Sequence, residues 1–161
     1  MPKGLLVDDG VVSGLWWVFL STLEEGDIVL GDGVFRKIGQ TIQIVEKMWD
    51  KERLFSVVNI DIPEEEVYKR LTSRIVCKSC SKTFSILQEG DISECPACKG
   101  ELVRRNDDED KKAIATRIEA FHRDTVPCLE WLEKQGVLVR LDGMKPSQEL
   151  FQDILAVMSG K

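Results

Sequence analysis

The 161-residue sequence has no apolar run long enough to span a membrane, and it has no signal peptide. It also has no internal repeat and no low-complexity segment, which excludes a repeat architecture. Basic residues are in the minority, with 22 Lys and Arg against 28 Asp and Glu, so the net charge is −6. This balance argues against a general nucleic-acid or membrane binder. These absences predict a cytoplasmic protein that binds neither nucleic acid nor membrane.

What the sequence does contain is enough apolar material for a core, since 43% of its residues are hydrophobic. A chain of this length holds one ordinary domain and a small insert. Charge is distributed unevenly along it. Residues 67–106 contain eight Lys and Arg against four Asp and Glu, a local excess of +4 in an acidic chain. A basic patch on an acidic protein suggests a local anionic ligand.

Two Cys-x-x-Cys pairs, Cys77–Cys80 and Cys95–Cys98, are separated by fourteen residues. This spacing predicts one tetrahedral site with four thiolate ligands, with Zn²⁺ as the default metal. Because four thiolates leave no open position, the site is predicted to be structural. An iron–sulfur cluster, two disulfides or four free thiols are the alternatives. The fifth cysteine, Cys128, lies in an apolar helical stretch and is predicted to be part of the core.

Hydrophobic periodicity predicts strands that alternate with helices, and therefore a parallel sheet covered by helices on both faces. A helix from Asn106 to about Gln135 is predicted to be kinked or broken at Pro127. The cysteine module, residues 74–105, is an insert between two helices. The predicted strands are 28–30, 55–60 and 137–141, and the other predicted helices are 9–23, 37–49, 63–72 and 145–158.

Five arginines lie near predicted element ends or at the edges of the cysteine module: Arg36, Arg70, Arg74, Arg105 and Arg117. Arg70 and Arg74 are four residues apart and are expected to share one helix face. For any single arginine, a solvated face paired with Asp107 and Asp108 is the simpler interpretation. For the whole set, a polyphosphate site is favoured, because arginine makes bidentate contacts with phosphate.

Asp32 lies between two glycines at the end of a predicted strand. In open α/β sheets ligands bind at the carboxyl ends of strands, which makes Asp32 a candidate ligand-site residue. A turn or capping residue is an equally good interpretation from spacing alone.

Several stretches together resemble one family, adenylate kinase, in the form whose lid carries a zinc site. The resemblance covers essentially the whole chain. Asp32-Gly33-Val34-Phe35-Arg36 is similar to the family's Asp-Gly-Phe-Pro-Arg segment. The other matching stretches are Gly4-Leu-Leu-Val7, Arg105-Asn-Asp-Asp108 and Asp142-Gly-Met-Lys145-Pro146.

This resemblance implies a P-loop nucleoside monophosphate kinase-like α/β fold and the reaction MgATP + AMP = 2 ADP. Mg²⁺ would accompany ATP, Zn²⁺ would hold the lid, and the chain would act as a monomer. It implies an incomplete core domain, 1–72 and 107–161, with part of the AMP region near 1–23, and a zinc-binding lid, 73–106. AMP would be bound by Leu6, Val7, Gly33, Arg36 and Gln40, and ATP by Arg70, Arg74, Phe84 and Lys145. Phosphoryl transfer would depend on Asp32, Arg36, Arg70, Arg74, Arg105 and Arg117.

The sequence departs from the family because it contains no Gly-x-x-x-x-Gly-Lys-Ser/Thr loop. In the family this loop and the first strand precede the segment that matches Met1. We therefore expect strands 28–30 and 55–60 either to pair directly or to flank an open groove. A fragment of the full enzyme is the first hypothesis. A non-catalytic remnant that binds nucleotides or a partner, and a metal-stapled interaction module, are the alternatives.

Overall fold

The computed structural model describes residues 9–104 and 111–160. The chain divides into two compact units, the first formed by residues 1–61 and 120–161 and the second by residues 62–119. The predicted insert, 73–106, lies inside the second unit. Within the described residues, no helix combines the length and the apolar character that crossing a membrane requires.

The helices and strands follow the predicted order. The predicted helices 9–23, 37–49, 63–72 and 145–158 and the predicted strands 55–60 and 137–141 have ends within two residues of the expected ones. The long predicted helix ends at Lys134, one residue from its expected end. The helices are α1 Asp9–Thr22, α2 Ile38–Asp50, α3 Glu64–Thr72, α4 Ile86–Glu89, α5 Lys111–Ala120, α6 Val126–Lys134 and α7 Ser147–Met158. The strands are β1 Val57–Asp61, β2 Arg74–Cys77, β3 Thr83–Ser85, β4 Leu102–Arg104 and β5 Leu138–Asp142.

The first unit is built on a parallel pair of strands. β1 pairs with β5 in a register that runs from Val57 opposite Leu138 to Asp61 opposite Asp142. Beside this pair, Val45 of α2 and Leu132 of α6 are fully buried and form a core cluster with Val57. An α/β unit with a parallel sheet is thus confirmed.

The predicted buried strand at residues 28–30 is wrong. Ile28 and Leu30 are 87% and 86% exposed, and the segment has no strand geometry. A short apolar run becomes a strand only when a neighbouring strand takes up its backbone hydrogen bonds. In the described part of the chain β1 pairs with β5 alone, so direct pairing of 28–30 with β1, one of the two expected arrangements, does not occur.

The long helix is interrupted, as predicted, but just before Pro127 rather than at it. Phe121–Thr125 forms one π-helical turn, and the Val126 N–H donates to the carbonyl of Phe121. Pro127 follows in the first turn of α6, where the lack of an N–H removes the fewest hydrogen bonds from the helix. The predicted beginning at Asn106 lies outside the described residues.

The second unit contains α3 and a small antiparallel sheet in the order β3-β2-β4. Pro63 precedes α3, and three glutamates occupy its first turn, where they favour the helix dipole. The expectation that Arg70 and Arg74 share a helix face is wrong. The helix ends at Thr72, and Arg74 begins β2 opposite Ser85 of β3, because strand pairing holds it in the ladder.

Candidate functional site

The four paired cysteines converge on one point of the second unit. Their sulfur atoms all lie within 4.8 Å of one another. The Sγ atoms of Cys77 and Cys98 are 3.5 Å apart, and those of Cys80 and Cys95 are 3.7 Å apart. Cys77 and Cys95 are buried, whereas Cys80 and Cys98 are exposed. The sequence prediction that these four residues form one cluster is confirmed.

The two Cys-x-x-Cys turns have the same backbone geometry. The Cys77 N–H donates to the carbonyl of Lys82 at 2.9 Å, and the Cys95 N–H donates to that of Gly100 at 2.9 Å. Ser81 and Lys99, each directly after the second cysteine of its pair, have φ of 58° and 61°. Such left-handed turns expose N–H groups toward the sulfurs, which stabilises negative charge on them.

This geometry fits a four-coordinate metal ion and does not fit disulfides. Zn–S bonds of about 2.3 Å place tetrahedral sulfurs about 3.8 Å apart, whereas a disulfide joins them at about 2.05 Å. Backbone hydrogen bonding, first from Cys80, lowers the pKa of Cys77 to about 6. The Gly100 N–H favours the Cys98 thiolate, but the thiols of Cys80 and Cys77 raise the pKa of Cys98 to about 12. A cation among the four sulfurs would allow all four to exist as thiolates.

Lysines around the cluster pair with carboxylates, a feature that sequence spacing did not indicate. Lys78 bonds Glu101 at 2.7 Å, and Lys99 bonds Glu94 at 2.7 Å. Glu94 and Glu101 themselves face each other in a β-bridge. The hydrogen bond that Lys99 donates to the Glu94 carboxylate raises the pKa of Lys99. The Lys78 pair therefore links the first Cys turn to the residue before β4, and the Lys99 pair joins the two sides of the second Cys turn.

Gly100 allows the two turns to approach each other. A Cβ at this position would lie 2.5 Å from the Ser79 Oγ, 2.9 Å from its Cβ and 3.0 Å from the Cys77 Sγ. We expect Gly100→Ala to weaken zinc binding about tenfold, because one turn must move away from the other. Competition with a chromophoric chelator measures this affinity. Gly39→Ala is the control, since its Cβ would contact nothing within 4 Å; equal zinc affinity in both variants would contradict the expectation.

Arg36 and Gly33 come together in the loop before α2. The Arg36 Nε donates to the Gly33 carbonyl at 3.1 Å, and Gly33 has φ of 67°. A Cβ on Gly33 would lie 2.9 Å from the Arg36 guanidinium. Asp32 is exposed in the same loop, and Gln40 is buried in the first turn of α2. Gly31 before them has no room for a larger side chain, because a Cβ would lie 2.7 Å from Val34.

Three further arginines of the predicted phosphate site, and Phe84, lie in the second unit. Arg70 bonds Glu66 at 2.7 Å. Arg74 is the first residue of β2, and Phe84 of β3 faces its neighbour Ile75 in the ladder. Arg117 is exposed on α5. Leu6, Val7 and Arg105 lie outside the described residues.

At the carboxyl end of β5, Lys145 bonds Asp153 of α7 at 2.7 Å, which raises the lysine pKa. A network at the same strands was not evident from the sequence. Arg140 bonds Glu133 at 3.0 Å and Asp61 at 3.2 Å, and these carboxylates raise its pKa. Only the parallel register of β1 and β5 brings Asp61 next to Arg140, so no local motif could have indicated this contact.

The chain matches no protein-family model. It is similar to curated proteins named adenylate kinase. The one from Desulforamulus reducens is 32% identical over 161 residues, covering 98% of this chain and 75% of the relative. Those from Archaeoglobus fulgidus and Methanosarcina barkeri are 30% and 33% identical, each covering 98% of this chain and 74% of the relative. The chain therefore spans about three quarters of each relative's length.

Proposed function

This chain belongs to the adenylate kinase family, and on that premise we propose that it takes part in phosphoryl transfer from MgATP to AMP. The observation that carries the proposal is similarity over 98% of the chain to relatives that bear this name. Members of the family are nucleotide-binding phosphotransferases. In such reactions the protein does little covalent chemistry; it positions two nucleotides and neutralises charge on the transferred group.

In this proposal Arg36 holds the AMP phosphate. Its guanidinium is already oriented by the hydrogen bond to the Gly33 carbonyl. Leu6, Val7 and Gln40 complete the AMP site. Arg70, Arg74, Arg105 and Arg117 neutralise the phosphates of ATP, and Asp32 faces the Mg²⁺. Phe84 and Lys145 contact the rest of the ATP molecule. Arginine suits these roles because its guanidinium matches phosphate in a bidentate manner.

We further propose that residues 73–106 form a lid held by Zn²⁺ on Cys77, Cys80, Cys95 and Cys98, with 1–72 and 107–161 as the core. The sulfur–sulfur distances of 3.5 and 3.7 Å suit a tetrahedral ion. The metal would supply folding energy to the lid and no chemistry to the reaction. The enzyme would be cytoplasmic and monomeric.

Because the 161 residues contain no phosphate-binding loop motif, we propose that such a loop from outside them completes the active enzyme. That loop supplies a lysine and a cradle of N–H groups for the ATP phosphates. The same observation favours the second candidate, a remnant that binds nucleotides or a partner without catalysis.

ADP formation from MgATP and AMP separates the two candidates. We expect no turnover by the chain alone and measurable turnover when a family-type phosphate-loop segment is fused ahead of Met1. In the fusion, Arg36→Ala is expected to lower kcat/KM about 100-fold or more, because a charged contact to a phosphate is lost.

Lys134→Gln serves as the control, since it removes one exposed positive charge at the end of α6. Turnover by the unfused chain would contradict the need for an added loop. An inactive fusion that still binds AMP would instead support the non-catalytic candidate.

A further inference from the structure

A surface cavity of about 250 Å³ lies in the second unit. Three of its lining residues adjoin Arg70, Arg74 and Arg105 in the sequence, but none of them is among the residues assigned above to nucleotides. It forms where the end of α3, the beginning of α4 and the end of β4 meet. The Ile86 N–H donates to the Ser73 carbonyl at 2.9 Å, which holds α4 against the end of α3. The cavity is lined by Lys69, Thr72, Ser73, Ile86, Leu87 and Arg104.

The lining carries two positive charges and no carboxylate. Within residues 9–104 and 111–160, neither Lys69 nor Arg104 forms an ion pair. The adjacent Arg70 differs, because it bonds Glu66 at 2.7 Å. Two cations beside one cavity repel each other unless an anion lies between them. This pair also belongs to the basic excess of residues 67–106 that the nucleotide motifs do not use.

The remaining lining combines hydroxyl groups with apolar side chains. The Thr72 hydroxyl donates to the Tyr68 carbonyl, so its oxygen remains able to accept a hydrogen bond. Ser73 is buried, and its hydroxyl is engaged by the Arg70 carbonyl and the Ser85 hydroxyl. Ile86 and Leu87 form an apolar wall, and Leu87 is 64% exposed although it is a large aliphatic residue. An apolar wall beside two cations suits a ligand with an anionic and an apolar end.

We propose that this cavity binds a small phosphate monoester that carries a compact apolar group. A phosphate monoester has a charge of about −1.5 to −2 at pH 7, which matches one lysine and one arginine. The Arg104 guanidinium and the Lys69 ammonium would bond the phosphate oxygens, and Ile86 and Leu87 would cover the apolar group. The cavity is small beside the roughly 300–1,000 Å³ of pockets for drug-sized ligands, which favours a ligand with a compact apolar group.

Titration calorimetry of the zinc-loaded full chain with phenyl phosphate tests the proposal. We expect one site in the unmodified chain and about tenfold or greater loss of affinity in Lys69→Gln/Arg104→Gln, because two charged hydrogen bonds disappear. Inorganic phosphate should bind several-fold more weakly than phenyl phosphate, since it leaves the apolar wall uncovered. Lys51→Gln/Lys134→Gln removes the same charge from exposed positions of the first unit and should bind like the unmodified chain.

Arg70→Gln/Arg74→Gln separates this site from the proposed ATP site and should leave phenyl phosphate binding unchanged. Leu87→Asp adds a carboxylate at an exposed position and should weaken binding without unfolding the chain. Far-UV circular dichroism and zinc content confirm that each variant is folded. The proposal is overturned if the unmodified chain shows no binding, if Lys69→Gln/Arg104→Gln binds normally, or if only the Arg70 and Arg74 replacements remove binding.

Discussion

Replacing Cys77 by serine is expected to abolish tight zinc binding and to leave residues 74–104 without stable structure. Cys77 is buried, and its sulfur lies 3.5 Å from that of Cys98. Serine cannot supply the thiolate, so the ion keeps only three sulfur ligands. We expect the affinity to fall by more than the roughly 10–100-fold that loss of an outer partner causes.

We expect residues 74–104 to lose their structure without the metal, because the small sheet has little hydrophobic core of its own. In β2, only Ile75 and Cys77 are buried. For such modules, metal binding and folding are one event. Amide hydrogen exchange should therefore show loss of protection in β2, β3 and β4 of Cys77→Ser, and chelator treatment of the unmodified chain should reproduce it.

Cys128→Ser is the matched control, because it alters a buried thiol outside the cluster. The Cys128 Sγ donates to the Asp124 carbonyl at 3.1 Å, a contact that serine can retain. The zinc affinity of Cys128→Ser should equal that of the unmodified chain. If Cys77→Ser bound one zinc ion with unchanged affinity, the four-sulfur assignment would be wrong.

Leu132→Ala is expected to lower the free energy of unfolding of the first unit by about 2–5 kcal/mol. Leu132 is fully buried between α6 and the β1–β5 pair, in contact with Val45 and Val57. Alanine removes three carbon atoms and leaves a cavity that the parallel strands and α2 cannot close without losing contacts.

Urea unfolding followed by tryptophan fluorescence measures the change, since Trp131 packs against the same cluster. Leu54→Ala is the control, because Leu54 is 101% exposed and its truncation should alter stability by less than about 0.5 kcal/mol. An equal loss of unfolding free energy in Leu132→Ala and Leu54→Ala would contradict the placement of the core.

Sequence reasoning succeeded where the chemistry is local. The cysteine spacing was sufficient to predict the cluster, because each turn is set by its own backbone. The helix ends followed from capping and breaking residues such as Pro63 and Gly136. These signals act within a few residues and do not depend on distant partners.

It failed where a distant partner decides the outcome. Ile28–Leu30 has the composition of a buried strand, yet it is exposed, because composition cannot specify whether a neighbouring strand is present. Arg74 lies in β2 rather than on the face of α3, because pairing with β3 and β4 holds β2 in the sheet. The ion pairs of Lys78 and of Arg140 join residues that are far apart in the sequence. The roles assigned to individual arginines remain predictions.

The parallel pairing of β1 with β5 has a kinetic consequence. Val57 and Leu138 meet although they are roughly eighty residues apart, and the second unit occupies most of that interval. Closing so long a flexible loop slows folding. A compact folded insert reduces the length of flexible chain between β1 and β5, so the two strands meet sooner. If the cysteine module folds on the proposed zinc ion before these strands pair, the pairing would be faster, and the metal supply during synthesis would affect how quickly the first unit folds.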